Sequence, residues 1–304
     1  MAKILLLMLA TGLVGLAAAA ASQHLRYLGI RRGSAEDRQP LLYGRSAFHT
    51  MTLLKVAAHE GRAGELAALR ALREAIETPG GGTVVYAGLV AMTMVPSSQL
   101  GNDWSAVAIA QYPSRDAFEQ NRRSPAVERA LGASEQSHVH GFERPALRNL
   151  LIPVGLGIVR LVDIVRRRDP ILPFEPVKDD DALSELVAKR KELVQLDAYR
   201  DVREDAVVIL NLLLPGTAEQ RAADRAYGYQ MVRGMAEGGY GPMHMGRAVT
   251  VEGDSRFRSF AAVYYPGIDH MHAMLGSTFM NRIGADKQLG DTLAVATIPV
   301  LSDL

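Results

Sequence analysis

Apolar positions along this chain fall into three patterns. The first is an uncharged run from Ile4 to Ala21. The second is a set of short stretches rich in β-branched and aromatic residues, which read as strands: Phe48–Val56, Thr83–Val95, Trp104–Tyr112 and Ser137–Phe142, then Val207–Leu214, His244–Val251, Phe257–Tyr265 and Leu293–Val300. The third is helical spacing. Leu66, Leu69, Leu72 and Ile76 mark a helix over Gly64–Ile76, and the pattern predicts two more over Thr217–Ala236 and Ile268–Ile283. Pro79-Gly80-Gly81-Gly82 and Gly238-Gly239 stop the helices that precede them, and Ser114 is placed to cap another that carries Asp116 in its first turn. The order βαββαβ therefore occurs twice.

The two occurrences are related in sequence. Trp104–Pro113 is echoed by Phe257–Pro266 at a constant offset of 153 residues, which places Asp116 on Asp269, Ser124 on Ser277 and Arg129 on Arg282. A repeat of this length is a whole small domain rather than a solenoid unit. A βαββαβ unit folds as a four-stranded antiparallel sheet with both helices on one face, the ferredoxin-like arrangement. Its other face must be buried, and a second copy can supply the cover. The expectation is an α+β protein with two tandem ferredoxin-like domains that join as an intrachain eight-stranded barrel. An internal pair costs less association entropy than an exchange between chains. The boundaries read as an apolar segment 1–22, a tether 23–44, a first domain 45–145, an insert 146–202 and a second domain 203–304.

The strand ending in Tyr112-Pro113, the helix opening with Asp116, and Phe118 followed by Ser124-Pro125-Ala126-Val127-Glu128 resemble the dimeric α/β-barrel superfamily, within it the DUF1330-like group. The resemblance covers both repeats and neither the N-terminus nor the insert. It implies the fold and leaves the reaction open, because the superfamily includes cofactor-independent monooxygenases, haem-degrading enzymes, haem peroxidases, isomerases and proteins with no known activity. The second copy departs from the pattern, with Thr278-Phe279 after Ser277.

Charge and composition narrow the location. A formal net charge of +1 lacks the basic surface of a general nucleic-acid binder, so no nucleic-acid partner is expected. No cysteine is present, which excludes disulfides and thiolate sites. Residues 4–21 are long enough for a membrane helix, and Arg26, Arg31 and Arg32 after the run outweigh Lys3 before it, which places the body of the protein in the cytoplasm. The alanines at 17–21 also suit a signal peptide, whose cleavage would leave the body periplasmic or secreted. Residues 150–165 are intensely apolar and precede Arg166-Arg167-Arg168. They read either as an amphipathic helix at the membrane surface, so that 150–168 is a second membrane contact, or as a helix packed on the domains. Pro170–Pro176 reads as a stiff linker and Asp181–Tyr199 as an amphipathic helix.

Candidate chemistry comes from strand parity. His49, Met51, Leu53 and Lys55 share one face of their strand, and His138 and His140 share a face of theirs. Converging imidazoles can bind zinc, iron or copper, ligate haem or act as a base, although a His-x-His pair on a strand is more often structural. In the local register Val207 stands for His49, and Thr292 and Ala294 for His138 and His140, so one asymmetric pocket is expected. The second copy offers Asn211, His244 and Tyr264 as an inward set. A ligand site is placed among His49, Tyr86, Gln111, His138 and His140, with Asn211 and Tyr264 reaching across. The opposite face, with Trp104, Phe257, Ala106, Ala108 and Ala110, is assigned to helix packing, and His270 and His272 to the surface. No metal is assigned, and the residues do not name a cofactor. The functional expectation is a membrane-tethered module that binds a ligand or serves as an accessory scaffold, its partner a hydrophobic small molecule or a membrane protein. The alternative is a cofactor-independent or haem-linked monooxygenase or isomerase acting on a hydrophobic small molecule.

Overall fold

The computed structural model describes residues 2–31, 38, 44–144, 148–178, 193–253, 256–284 and 290–304. Its strands are β1 (Phe48–Lys55), β2 (Thr83–Val95), β3 (Ala106–Tyr112), β4 (Gln136–Glu143), β5 (Val207–Leu213), β6 (Pro242–Thr250), β7 (Ser259–Tyr265) and β8 (Thr292–Pro299). They close into one antiparallel barrel in the order β1-β3-β2-β8-β5-β7-β6-β4. The same internal order, β4-β1-β3-β2 and then β8-β5-β7-β6, appears in each half. The halves meet edge to edge at two seams. One joins β2 to β8, from Gly88 opposite Pro299 to Val95 opposite Ala294. The other joins β4 to β6, from His140 opposite Thr250 to Glu143 opposite Arg247. Closure leaves no open sheet edge to recruit another chain.

Parity separates a packed interior from an outer helix layer. In the first half, α2 (Gly61–Ile76), α3 (Arg115–Arg122) and α4 (Pro125–Gly132) pack Leu69, Leu72, Phe118 and Val127 on Ala106, Ala108 and Ala110 of β3. The small side chains let the helices approach the sheet, as expected. Trp104 and Phe257 behave differently, because β3 begins at Ala106 and β7 at Ser259, so strand parity does not reach them. Both belong to the cluster that includes Met51, Leu53, Val107 and Ile109. The second half is covered by α6 (Ala218–Gly238), α7 (Ile268–Leu275) and α8 (Thr278–Gly284). The single helix expected over Ile268–Ile283 is thus two. The Ser277 hydroxyl accepts the Met280 N–H and restarts the helix. Ser124 does the same for α4 by accepting from Val127.

Further segments lie outside the barrel. Helix α1 runs from Ala2 to Arg31, so the first part of the expected tether is helix; most of residues 32–43 lie outside the described residues. Its end docks on the second half. Arg26 donates to the carbonyls of Glu237 and Ala236 at the end of α6, Tyr27 meets Tyr264 edge-on at 6.3 Å, and the Tyr264 hydroxyl donates to the Ile30 carbonyl. Helix α5 (Arg148–Val165) contains the apolar insert. It approaches α1 where an added Cβ on Gly157 would lie 3.1 Å from the Ala19 carbonyl, and it ties to α6 through an ion pair from Asp163 to Arg233 at 2.6 Å. The expected linker after it is a fixed strap: Ile171 and Leu172 donate their N–H groups to the Glu237 carboxylate. Most of the amphipathic helix expected over Asp181–Tyr199 lies outside the described residues; within the described part, Leu193 and Leu196 are buried.

Candidate functional site in the barrel interior

The pairing register fixes which side chains point inward. Phe260 stacks on Phe142 at 4.2 Å across the barrel, so Phe260, Ala262 and Tyr264 of β7 face the interior together with Phe142 of β4. Val208 lies opposite Tyr264, Leu210 opposite Ala262 and Leu212 opposite Phe260. Asn211 therefore falls on the other face, where it pairs with Ala261 and Ala294 and its amide donates to the carbonyls of Ile209 and Ala261. The expected inward position of Asn211 rested on equating Val207 with His49. The structural counterpart of His49 is Val208, since each lies opposite the matching β3 or β7 residue, Gln111 or Tyr264. By the same shift the counterparts of His138 and His140 are Leu293 and Val295. A one-residue slip exchanges the faces of a strand, which accounts for the correction. The asymmetry survives it: the second half carries no histidine at these positions.

The remaining expected residues point inward, and apart from Tyr264, which meets Tyr27 and Ile30 at the end of α1, they fall into three groups. His49 lies opposite Phe142 on the β4 side, whereas His138 lies opposite Leu53, four positions along β1. At about 3.3 Å per residue that is roughly 13 Å along the strand. One group is His49, Gln111 and His244. The His49 Nε2 sits 3.3 Å from Gln111 Oε1, and its ring stacks on Phe142 at 5.1 Å and meets His244 edge-on at 6.5 Å. Arg144, just beyond β4, brings its guanidinium 2.8 Å from His244 Nδ1. Arginine only donates, so Nδ1 carries the lone pair and the His244 proton resides on Nε2. Parity reasoning did not find Arg144, because it follows the last strand residue.

The second group is His138 and His140, with stacked rings 6.1 Å apart and the Phe257 edge 5.8 Å from His140. Burial holds the His140 imidazole down at about 4, reinforced by His138, and burial likewise lowers His138 against the opposing pull of Glu252. Both imidazoles are therefore neutral near pH 7. The third group bridges the β2–β8 seam. Thr297 donates its only hydroxyl proton to the Val208 carbonyl at 2.8 Å, so Tyr86 is the donor in the 2.6 Å contact between the two hydroxyls. Gly88 makes room: a Cβ there would lie 2.7 Å from the Tyr86 oxygen.

Most of these side chains are closely packed, whereas Gln111 and His138 are half-buried. His49, Tyr86, His244, Phe142 and Tyr264 each have no exposed surface, so none borders a void large enough for water. The described histidines and acids form no cluster able to hold a metal ion. His270, expected at the surface, instead lies among Tyr240 (4.8 Å), Phe174 (5.3 Å) and Tyr265 (6.4 Å), and burial lowers its imidazole to about 4. His272 is half-buried and contacts Asp197.

No family model matches the chain, and no curated protein matches it. Among solved structures it is similar to an anthrone oxidase-like protein, with 7% identity over 84% of this chain and 92% of that one and a TM-score of 0.44. It is also similar to a dye-decolorizing protein from V. cholerae, with 14% identity over 85% and 95% and a TM-score of 0.42. A candidate monooxygenase from Lactobacillus acidophilus NCFM has 9% identity over 84% and 94% and a TM-score of 0.40. The description of the chain as a mixed α/β protein with a closed eight-stranded barrel and an apolar N-terminal helix rests on its own strand order.

Proposed function

We propose that the chain is a membrane-tethered α/β-barrel protein, built by tandem duplication of a ferredoxin-like unit, whose barrel serves as an accessory or ligand-binding module rather than as an enclosed reaction chamber. The observation that carries this reading is the pair α1 and α5. Helix α1 is long and apolar enough to cross a membrane, and it leaves Ile4, Leu5, Leu6, Leu13 and Val14 exposed. Beside it, α5 exposes Leu151, Ile158, Leu161, Ile164 and Val165 while its other sides meet α1 and α6. An apolar surface shared by two packed helices is costly in water and is stabilised by lipid. The charge flanks then favour a barrel on the cytoplasmic side. Duplication is supported by the 153-residue sequence offset and by the matching helix breaks at Ser124 and Ser277.

Packing of His49, Tyr86 and Tyr264 favours the accessory role over an oxygenase or isomerase acting inside the barrel. The neutral His138–His140 pair is the one feature that suits the enzymatic alternative, because an unprotonated imidazole is ready to act as a base or ligand. Carbonate extraction and protease shaving of cells expressing the full chain test the location. Retention in the membrane with a barrel protected from external protease supports the reading, and a shortened soluble product in the periplasm overturns it. A Soret band lost on His138→Ala/His140→Ala would select the enzymatic alternative.

A further inference from the structure

An arginine-rich groove of about 730 Å³ lies at the β4–β6 seam and adjoins the His49–Gln111–His244 group through Arg144. Its walls carry Arg45 before β1, Arg115 at the start of α3, Arg144 after β4, Arg247 of β6 and Arg258 before β7. The only carboxylate among the described lining residues is Glu143, which holds Arg247 at 2.6 Å. Elsewhere in the described residues arginines are commonly matched to acids: Arg62 to Asp201, Arg73 to Glu77, Arg200 to Asp197 and Asp269, and Arg233 to Asp163. In the groove, Arg45, Arg115 and Arg258 make no ion pair among the described residues. Five arginines and one glutamate among the described lining residues concentrate positive charge here, on a chain whose formal net charge is +1. The concentration is therefore local rather than a reflection of overall composition.

The groove is formed by both halves of the barrel. Arg45, Arg115 and Arg144 come from the first, and Arg247 and Arg258 from the second; their meeting follows from the register that puts Glu143 opposite Arg247 and Arg247 opposite Ser259. Two of the groups are positioned by neighbours. The Arg115 guanidinium lies 5.8 Å over the Phe48 ring, and Arg144 is held against His244 and the Met243 carbonyl. Ser46 and Ser259 add hydroxyl groups to the lining.

We propose that this groove binds a phosphate-bearing ligand with at least two negative charges. A guanidinium presents a planar fork of donors that matches phosphate oxygens. A phosphate or diphosphate group offers enough terminal oxygens to engage several such forks at once, whereas a single carboxylate offers two. A concave wall of one charge also focuses the field on an approaching anion. Free phosphorylated small molecules and phospholipid headgroups share this chemistry. The site does not depend on the membrane reading above.

The test uses the full chain in nanodiscs of phosphatidylcholine, titrated calorimetrically with inorganic pyrophosphate and, separately, with dihexanoyl phosphatidic acid. Arg115→Ala/Arg258→Ala removes two exposed groove charges, and Arg129→Ala/Arg282→Ala removes two exposed charges elsewhere. Expected is saturable binding of one or both probes, weakened at least tenfold by the groove variant and less than twofold by the control. Binding of pyrophosphate identifies a soluble ligand class, and binding of phosphatidic acid alone identifies a lipid headgroup. Absence of binding by either probe, or equal weakening in both variants, overturns the proposal.

Discussion

The imidazole of His140 provides a direct test of the interior assignment. Its residue is 1% exposed, it faces the stacked ring of His138 and the edge of Phe257, and its two ring nitrogens have no hydrogen-bond partner among the described residues. The perturbation is His140→Leu, which keeps an apolar group of similar reach and removes the titration. In the folded protein the imidazole protonates at about 4, against 6.5 when unfolded. The unfolded chain therefore takes up the proton first as pH falls, so the contribution is level above 6.5 and folding weakens between 6.5 and 4. At 1.36 kcal/mol per pH unit, lowering the pH from about 7.5 to about 5 costs wild type about 2 kcal/mol through this group. The loss levels off near 3.4 kcal/mol below about pH 4. Urea titrations of the full chain in neutral detergent, monitored by tryptophan fluorescence, read the difference. His140→Leu should match or exceed wild type at neutral pH and be about 2 kcal/mol more stable relative to it at about pH 5. Parallel pH dependences for the two proteins would refute the placement of His140 in a dry interior.

Other positions give independent checks. Gly88→Ala should destabilise by about 1–3 kcal/mol through overpacking against the Tyr86 hydroxyl, seen as a lowered thermal midpoint. Tyr86→Phe removes the donor to Thr297 Oγ1 and should cost about 1 kcal/mol in urea titration, a small loss because Thr297 keeps its bond to Val208. Ser124→Ala and Ser277→Ala should each cost about 1 kcal/mol by removing a helix cap, with additive effects in the double variant. Deleting residues 2–21 should release the barrel from the bilayer while leaving the Arg26–Glu237 and Ile30–Tyr264 contacts, so its thermal midpoint should exceed that of a deletion of residues 2–31.

Much of the fold was legible because its signals are local. The alternation Ala106-Val107-Ala108-Ile109 separates a helix-facing side from an interior side without any knowledge of partners, and Ser114 announces a cap that the structure contains. The β2 limits at Thr83 and Val95 agree for the same reason. What failed needed long-range information. The face of Asn211 depends on which β1 residue is equivalent to which β5 residue, and the sequence match between the copies is weak there; only the pairing of Val208 with Tyr264 decides it. The breaks at Ser124 and Ser277 were both missed: Ser124-Pro125 carries a local signal in the first half, and the second half lacks the proline. The arginine groove was invisible because its five members lie between positions 45 and 258 and no periodicity relates them.

Gln111 and Tyr264 show how the two halves differ. They occupy equivalent positions on β3 and β7, one opposite His49 and the other opposite Val208. In the first half the polar side chain meets an imidazole and remains half-buried. In the second, the tyrosine ring packs on Tyr27 and its hydroxyl donates to the Ile30 carbonyl, which closes that position under the end of α1. Helix α5 also fastens to the second half, through Asp163 and Arg233. The second half therefore acts as the base on which the two apolar helices are mounted, and its interior is correspondingly free of histidine at the positions of His49, His138 and His140. The first half retains those imidazoles and contributes Arg45, Arg115 and Arg144 to the groove. A barrel built from two like units can divide its tasks in this way because closure requires only that the seams pair, and the pairing at Gly88–Val95 and His140–Glu143 is made largely by backbone groups.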